Sequence, residues 1–185
     1  MIGIDEVGRG CWAGPLLVVA ARQTGSLPKG LADSKILSKK KRQSLYFDIS
    51  LACDIGEGWV TPKEIDHLGL SQAMYLGVER ALVALRAAPH EEIIIDGNIN
   101  YCPVSHVNSQ AVIDADATHV VVSAASIHAK VTRDRYMTKQ ALVFPGYSFE
   151  KHVGYGTLAH IKAIKQLGIC ELHRQSYKPI KAFMA

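Results

Sequence analysis

Two acidic positions occupy equivalent places in the sequence. Asp5-Glu6 follows the apolar lead-in Ile2-Gly3-Ile4, and Asp96 follows Ile93-Ile94-Ile95. Carboxylates at the ends of buried strands suit neither a core nor an ordinary surface, and in open α/β sheets ligands bind in the crevice beyond the strand ends. If the two strands are neighbours, Asp5, Glu6 and Asp96 converge, and like charges at close range need protons or a cation. A ligand set made only of oxygens points to Mg²⁺ or Mn²⁺ rather than zinc. Asp114-Ala115-Asp116 offers a further carboxylate, although Asp-x-Asp equally suits an exposed loop, and Asp96-Gly97 taken alone reads as a turn.

Close behind the first acidic pair lies Gly8-Arg9-Gly10, whose two glycines let the backbone approach a ligand and bond to it through main-chain groups. Gly154-Tyr155-Gly156-Thr157 combines a ring that can stack on a sugar or base with a threonine suited to start a phosphate-facing helix. Arg9, Lys35, Lys130, Arg133, His173, Arg174 and Lys178 surround these places, and such residues position a nucleic-acid backbone without reading its sequence. His152 lies eight residues before His160 and Cys170 three before His173, spacings that match no standard zinc module.

The elements that must carry these groups alternate along the chain. Ile2-Gly3-Ile4 and Pro15 to Ala21 read as strands buried on two sides. Ser38 opens a helix through Lys39-Lys40-Lys41-Arg42, and Thr61-Pro62-Lys63-Glu64 has the capping-box order with proline at the first helical position. Met74, Val78, Ala81, Leu82 and Leu85 form one apolar face of a long helix that Pro89 ends. Glu92 to Asn98 reads as a buried strand stopping in a turn. Val120-Val121-Val122 reads as another strand, running into a helix with Ile127 and Val131, and a last helix is expected from about Leu158 to Leu167. The expected class is an α/β domain.

Composition narrows the partners. The 185 residues fit one domain, and 48% hydrophobic against 21% charged residues excludes a disordered chain. Cys11 to Ala21 is too short and too broken to span a bilayer, and the acid near the N-terminus is unlike a secretory signal, so a cytoplasmic location is expected. Four scattered cysteines suggest reduced, structural thiols, and a net charge of +4 permits a polyanionic partner. No Gly-x-x-x-x-Gly-Lys-Ser/Thr occurs, which argues against a P-loop nucleotidase.

Taken together, Gly3-Ile4-Asp5-Glu6-Val7-Gly8-Arg9-Gly10, Asp33-Ser34-Lys35, Ile95-Asp96-Gly97-Asn98, Ser123 to Asp134, Gly154-Tyr155-Gly156-Thr157 and His173-Arg174-Gln175-Ser176-Tyr177 resemble type 2 ribonuclease H, the bacterial ribonuclease HII family. The blocks occur in the family's order over nearly the whole chain. The resemblance implies a ribonuclease H-like fold: a central mixed five-stranded sheet flanked by helices, in one catalytic domain over 1–185, with a helical C-terminal part from about residue 157. It implies an endonuclease that cuts RNA in RNA–DNA hybrids and the 5′ side of ribonucleotides embedded in duplex DNA, a monomer acting in ribonucleotide excision repair. Carried over by position, Asp5, Glu6, Asp96 and Asp116 would be catalytic and hold Mg²⁺ or Mn²⁺. Asp116 is chosen over Asp114 by counting back from the Ser-Ala-Ala-Ser-Ile block. Gly8, Arg9 and Gly10 would contact the 2′-hydroxyl, Tyr155 would pack on the sugar, and Lys35 and Arg174 would complete substrate binding.

The chemistry this implies is two-metal phosphodiester hydrolysis, with cations about 3.5–4 Å apart and 5′-phosphate and 3′-hydroxyl products. A carboxylate-metal DNA nuclease on the same scaffold and a non-catalytic nucleic-acid binder are the alternatives. The sequence departs from the family pattern at Asp114 and Val153, where lysines are usual, and at Cys11-Trp12, where smaller or prolyl residues are common.

Overall fold

The computed structural model describes residues 1–31 and 37–184. Its elements run β1 (Ile2–Val7), β2 (Leu16–Gln23), α1 (Lys39–Ala52), β3 (Cys53–Val60), α2 (Pro62–Leu68), α3 (Leu70–Leu85), β4 (Ile93–Asp96), β5 (Ser109–Val112), α4 (Ala115–Thr118), α5 (Val120–Val143), α6 (Phe149–His152), α7 (Leu158–Leu167) and α8 (Lys178–Lys181). The five strands form one sheet in the order β3-β2-β1-β4-β5. The pair β1 and β2 is antiparallel, whereas β4 runs parallel to both β1 and β5. A mixed five-stranded sheet is the architecture expected, and the structure puts β1 at its centre.

The chain divides into two compact units. The first comprises Met1–Val7, Leu17–Trp59 and Met74–Val131, and contains the sheet. Period-2 alternation along β3 shows how both sheet faces are covered. Cys53, Ile55 and Trp59 join a core with Leu17, Val19 and Ala21 of β2, Leu45 and Ile49 of α1, and Val121 to Ala129 of α5. The alternate residues Gly56 and Gly58 face α3, where a Cβ would lie 2.1 Å from the Ala81 carbonyl oxygen and 1.9 Å from that of Gly77. Only glycine lets the helix backbone come so near the strand. The second unit comprises Gly8–Leu16, Val60–Ala73 and the chain from Thr132 onward. Its core gathers Ala13, Met137, Tyr147, Phe149, Ala163, Ile164, Leu172 and Ile180.

Local signals account for several elements. Ser38 caps α1 by accepting from the Lys41 N–H, and Thr61 and Glu64 close the expected capping box on α2. Thr157 caps α7, which spans the expected residues. Three expectations change. Val120-Val121-Val122 is no strand but the first turn of α5. Tertiary packing overrides its β-branched composition: a Cβ at Gly3 of β1 would lie 2.6 Å from the Val121 carbonyl carbon, so the helix needs its small Ser and Ala residues against the sheet. The fifth strand is instead β5, Ser-Gln-Ala-Val. Finally, α3 ends before Pro89, at Leu85, where Arg86 turns left-handed with φ 54°. Among the described residues no helix is long and apolar enough to cross a membrane, and all four cysteines are free thiols.

Candidate active site

The parallel register Ile4↔Ile95 sets the ends of β1 and β4 side by side, which brings Asp5 and Asp96 to one corner of the sheet. Asp5 is only 7% exposed. Burial, reinforced by the Glu6 and Asp96 charges, pushes its carboxyl well above the usual carboxylate range; hydrogen bonds from Ser126 and from the Glu6 N–H, the latter 2.7 Å, work against that rise. One Asp96 oxygen accepts the Ala115 N–H at 2.7 Å, tying β4 to the start of α4. Asp116 then falls in the first turn of α4, 4% exposed, its carbonyl accepting from the Ser123 hydroxyl of α5. Asp114, by contrast, is exposed at the left-handed residue before α4, with φ 55°.

The donor set at this corner suits a hard divalent cation: carboxylates only, one of them buried and repelled by its neighbours. Among the described residues no three His, Cys, Asp or Glu side chains stand close enough together to hold a metal ion as arranged.

Glycine has different reasons at the two ends of Gly8-Arg9-Gly10. Gly8 has φ +93°, and a Cβ there would lie 2.3 Å from Nε of Arg133 and 2.9 Å from the Pro15 carbonyl oxygen. Fold and backbone both require it. At Gly10 φ is not in the left-handed region, and beyond its own chain neighbours no described atom lies within 4 Å of where a Cβ would sit.

Arg133 and Arg174 do not face phosphates. Both are 0% exposed: Arg133 spends its guanidinium donors on main-chain carbonyls of this second unit, and Arg174 divides its own between such carbonyls and the Tyr177 hydroxyl, leaving Nη2 without a hydrogen-bond partner among the described residues. Arg133 donates to Pro15, Val153 and Ala13 at 2.8, 2.9 and 3.1 Å. Arg174 donates through Nε to Gly14 at 3.0 Å and through Nη1 to Arg9 at 3.1 Å and to the Tyr177 hydroxyl at 2.8 Å. The expected substrate contact from Arg174 is therefore corrected: a buried fork bound to carbonyls shapes the loop instead of touching a ligand. Lys35 lies outside the described residues.

Tyr155 is 39% exposed, and burial of its remainder pushes the phenol up to about 12. Gly154 before it (φ +92°) would place a Cβ 2.2 Å from the Ala13 carbonyl oxygen, and Gly156 would place one 2.2 Å from Cε2 of Trp12. The large residue at Trp12 thus seats its indole directly on Gly156. Val153 adopts φ 45°, a strained region for a β-branched side chain, with its carbonyl held by Arg133. The fold does gather the scattered His and Cys residues, but as a hydrogen-bonded relay. His160 Nε2 meets His173 Nε2 at 3.0 Å, the Cys170 N–H donates to His173 Nδ1 at 2.8 Å, and the His152 ring stacks on His160 at 4.4 Å.

Three contributors carried no assigned role in the sequence, although Ser126 and Tyr177 lie within blocks that carry the family resemblance. Ser126, of the Ser-Ala-Ala-Ser-Ile block, bonds Asp5, and its i, i+3 spacing from Ser123 sets both on the buried face of α5. Tyr177 donates its hydroxyl to the Arg9 carbonyl at 2.7 Å. Asp66 of α2 accepts the Gln175 and Ser176 N–H groups at 2.9 and 2.8 Å, fixing the segment that carries Arg174 and Tyr177. No local pattern marks Asp66.

Residues 2–180 match the family model described as Ribonuclease HII. The chain is 42% identical over 186 residues to a ribonuclease HII of Marinomonas sp. (strain MWYL1), covering 100% of this chain and 92% of that protein. Among solved structures it is similar to one from the PCNA:RNase HII complex of Archaeoglobus fulgidus, with TM-score 0.81 and 25% identity over 96% of this chain and 94% of that one. The Bst ribonuclease HIII solved in complex with Mn²⁺ shares the fold at TM-score 0.74 and 22% identity, over 99% of this chain and 68% of that one.

Proposed function

Because this chain belongs to the ribonuclease HII family, we propose that the carboxylate corner at the ends of β1 and β4 is where it hydrolyses RNA phosphodiesters. The chain is an endoribonuclease acting on the RNA strand of RNA–DNA hybrids. Asp5, Glu6, Asp96 and Asp116 are the residues we assign to Mg²⁺ or Mn²⁺. The observation that carries this is Asp5 itself, a buried carboxyl flanked by the charges of Glu6 and Asp96, an arrangement stable as an anion only when a cation shares the corner. When bound, such cations supply the charge that lowers the pKa of water and stabilises a leaving oxygen.

The chain's own groups supply orientation. Ser126, the Glu6 N–H and the Ala115 N–H hold Asp5 and Asp96 in place as acceptors, so that they present oxygen ligands and do not shuttle protons. Gly10, open to solvent, and the exposed Arg9 meet the ribonucleotide, with main-chain groups of the loop reading its 2′-hydroxyl. Tyr155 offers a partly exposed ring to the adjoining sugar. Lys35 contributes a phosphate contact. The 2′-hydroxyl is recognised and does not attack, so the products carry 5′-phosphate and 3′-hydroxyl ends and no cyclic phosphate forms. In duplex DNA with one embedded ribonucleotide the cut falls on its 5′ side, and the protein acts on its nucleic-acid substrate as a monomer.

A DNA duplex holding one ribonucleotide tests this reading, with Mg²⁺ and Mn²⁺ compared and an all-deoxy duplex as control. Cleavage confined to the 5′ side of the ribonucleotide is the expected result. Equal cutting of the all-deoxy duplex would replace ribose reading by a DNA nuclease.

A further inference from the structure

We infer that the Tyr177 hydroxyl and the Arg174 guanidinium are positioning groups for ribose selection, acting by fixing the orientation of the Arg9–Gly10 peptide. The inference rests on the reading of Gly-Arg-Gly as the ribose-contacting loop. The Arg9 carbonyl accepts two hydrogen bonds, from the Tyr177 hydroxyl at 2.7 Å and from Arg174 Nη1 at 3.1 Å, and Nη1 also donates to the Tyr177 hydroxyl at 2.8 Å. This closed triangle is anchored at a second point, because Arg174 Nε holds the Gly14 carbonyl at 3.0 Å. Asp66 holds the adjoining Gln175 and Ser176 amides, and the Tyr177 ring lies 5.2 Å from the Arg174 guanidinium carbon.

A planar trans peptide points its N–H opposite to its C=O. With the Arg9 oxygen turned inward onto two donors, the Gly10 N–H is turned away from them, outward. Gly10 is exposed there; beyond its chain neighbours no described atom lies within 4 Å of its would-be Cβ, and its φ does not demand glycine. The fold has no use for glycine at this position, whereas a ligand atom closing on an outward N–H does. A hydroxyl oxygen is the matching acceptor, which makes the tilt of a single peptide decisive for telling ribose from deoxyribose. Removing the Tyr177 hydroxyl takes the shorter of these two hydrogen bonds from the Arg9 carbonyl and loosens that tilt.

The test compares wild type, Tyr177→Phe, Arg174→Lys and Gly10→Val in two quantities: KM for a duplex with one ribonucleotide, and the inhibition constant of the all-deoxy duplex competing against it. Their ratio measures ribose selection, and a merely structural defect lowers kcat through the active fraction and leaves the ratio alone. For Tyr177→Phe, folded by thermal unfolding, the ratio is expected to fall about tenfold, the value of one hydrogen bond. Arg174→Lys, which cannot bridge Gly14 and Arg9, is expected to lower it at least as far. An unchanged ratio in Tyr177→Phe overturns the inference. If Gly10→Val then still loses selection, ribose reading by the loop stands; if Gly10→Val also keeps the wild-type ratio, that reading falls as well.

Discussion

Nε2 of His160 stands 3.0 Å from Nε2 of His173, and this contact dictates the protonation of both rings. His160 Nδ1 faces the Tyr155 carbonyl at 2.9 Å, so it carries a hydrogen and leaves Nε2 as acceptor. The hydrogen between the rings belongs to His173, whose Nδ1 then accepts the Cys170 N–H. Every position is filled when both rings are neutral; a proton on His160 Nε2 would set two N–H groups against each other.

Burial, helped by the neighbouring imidazoles, pulls His160 down to about 4, and burial also lowers His152 and His173. The folded values lie below those of the unfolded chain, so the stabilisation is fully present above about pH 6.5 and is lost as pH falls toward 4. For His160 the span amounts to about 3 kcal/mol. Thermal unfolding at steps between pH 7 and pH 4 is expected to show a falling Tm in wild type and a flatter profile in His160→Gln. Equal slopes would remove the relay from the acid response.

Asp5→Asn is expected to abolish cleavage while keeping or raising the metal-free Tm, because it removes a buried charge repelled by Glu6 and Asp96. Activity assays with Mn²⁺ and metal-free unfolding scans check the two halves separately. Turnover like that of wild type would remove Asp5 from the reaction.

Asp116 and Asp114 should part company. Asp116 is buried in the first turn of α4 and Asp114 is exposed before it, so Asp116→Asn is expected to lower kcat by orders of magnitude and Asp114→Asn to leave it near wild type. The opposite ranking would exchange their roles.

Gly8→Ala and Gly10→Val probe one loop in opposite senses. Strain at φ +93° and a 2.3 Å clash with Arg133 should destabilise Gly8→Ala by about 1–3 kcal/mol. Gly10→Val adds its side chain to open space, so it should unfold like wild type and yet nearly stop cleavage at a single ribonucleotide. A large drop in Tm for Gly10→Val would mean that the loop, not the ligand, needs that glycine.

Tyr155→Ala is expected to weaken cleavage about ten- to a hundred-fold, since stacking of this kind is worth about 1–3 kcal/mol. Tyr155→Phe keeps the ring and should stay close to wild type. A severe defect in the phenylalanine variant would shift the role from the ring to the hydroxyl.

How far the sequence foretold this depended on whether a signal was local. Ser38, the Thr61–Glu64 box and the apolar runs of β1 and β2 announce their elements because cap and period act within a few residues. Nothing inside Ser-Gln-Ala-Val marks β5, whose existence comes from pairing with β4 from Ile93↔Ser109 to Asp96↔Val112. The same limit governs the site. Asp5 and Asp96 stand out as acids closing apolar strands, but Arg133 and Arg174 look like any other basic residue until burial shows their donors turned onto carbonyls.

Each compact unit is assembled from three separate stretches of chain, and α5 contributes Val120 to Val131 to one and Thr132 to Val143 to the other. Neither unit therefore corresponds to a contiguous segment of gene. No single truncation releases either as a self-contained fragment, and the carboxylate corner and the ribose-contacting loop cannot be inherited, exchanged or lost as separate modules.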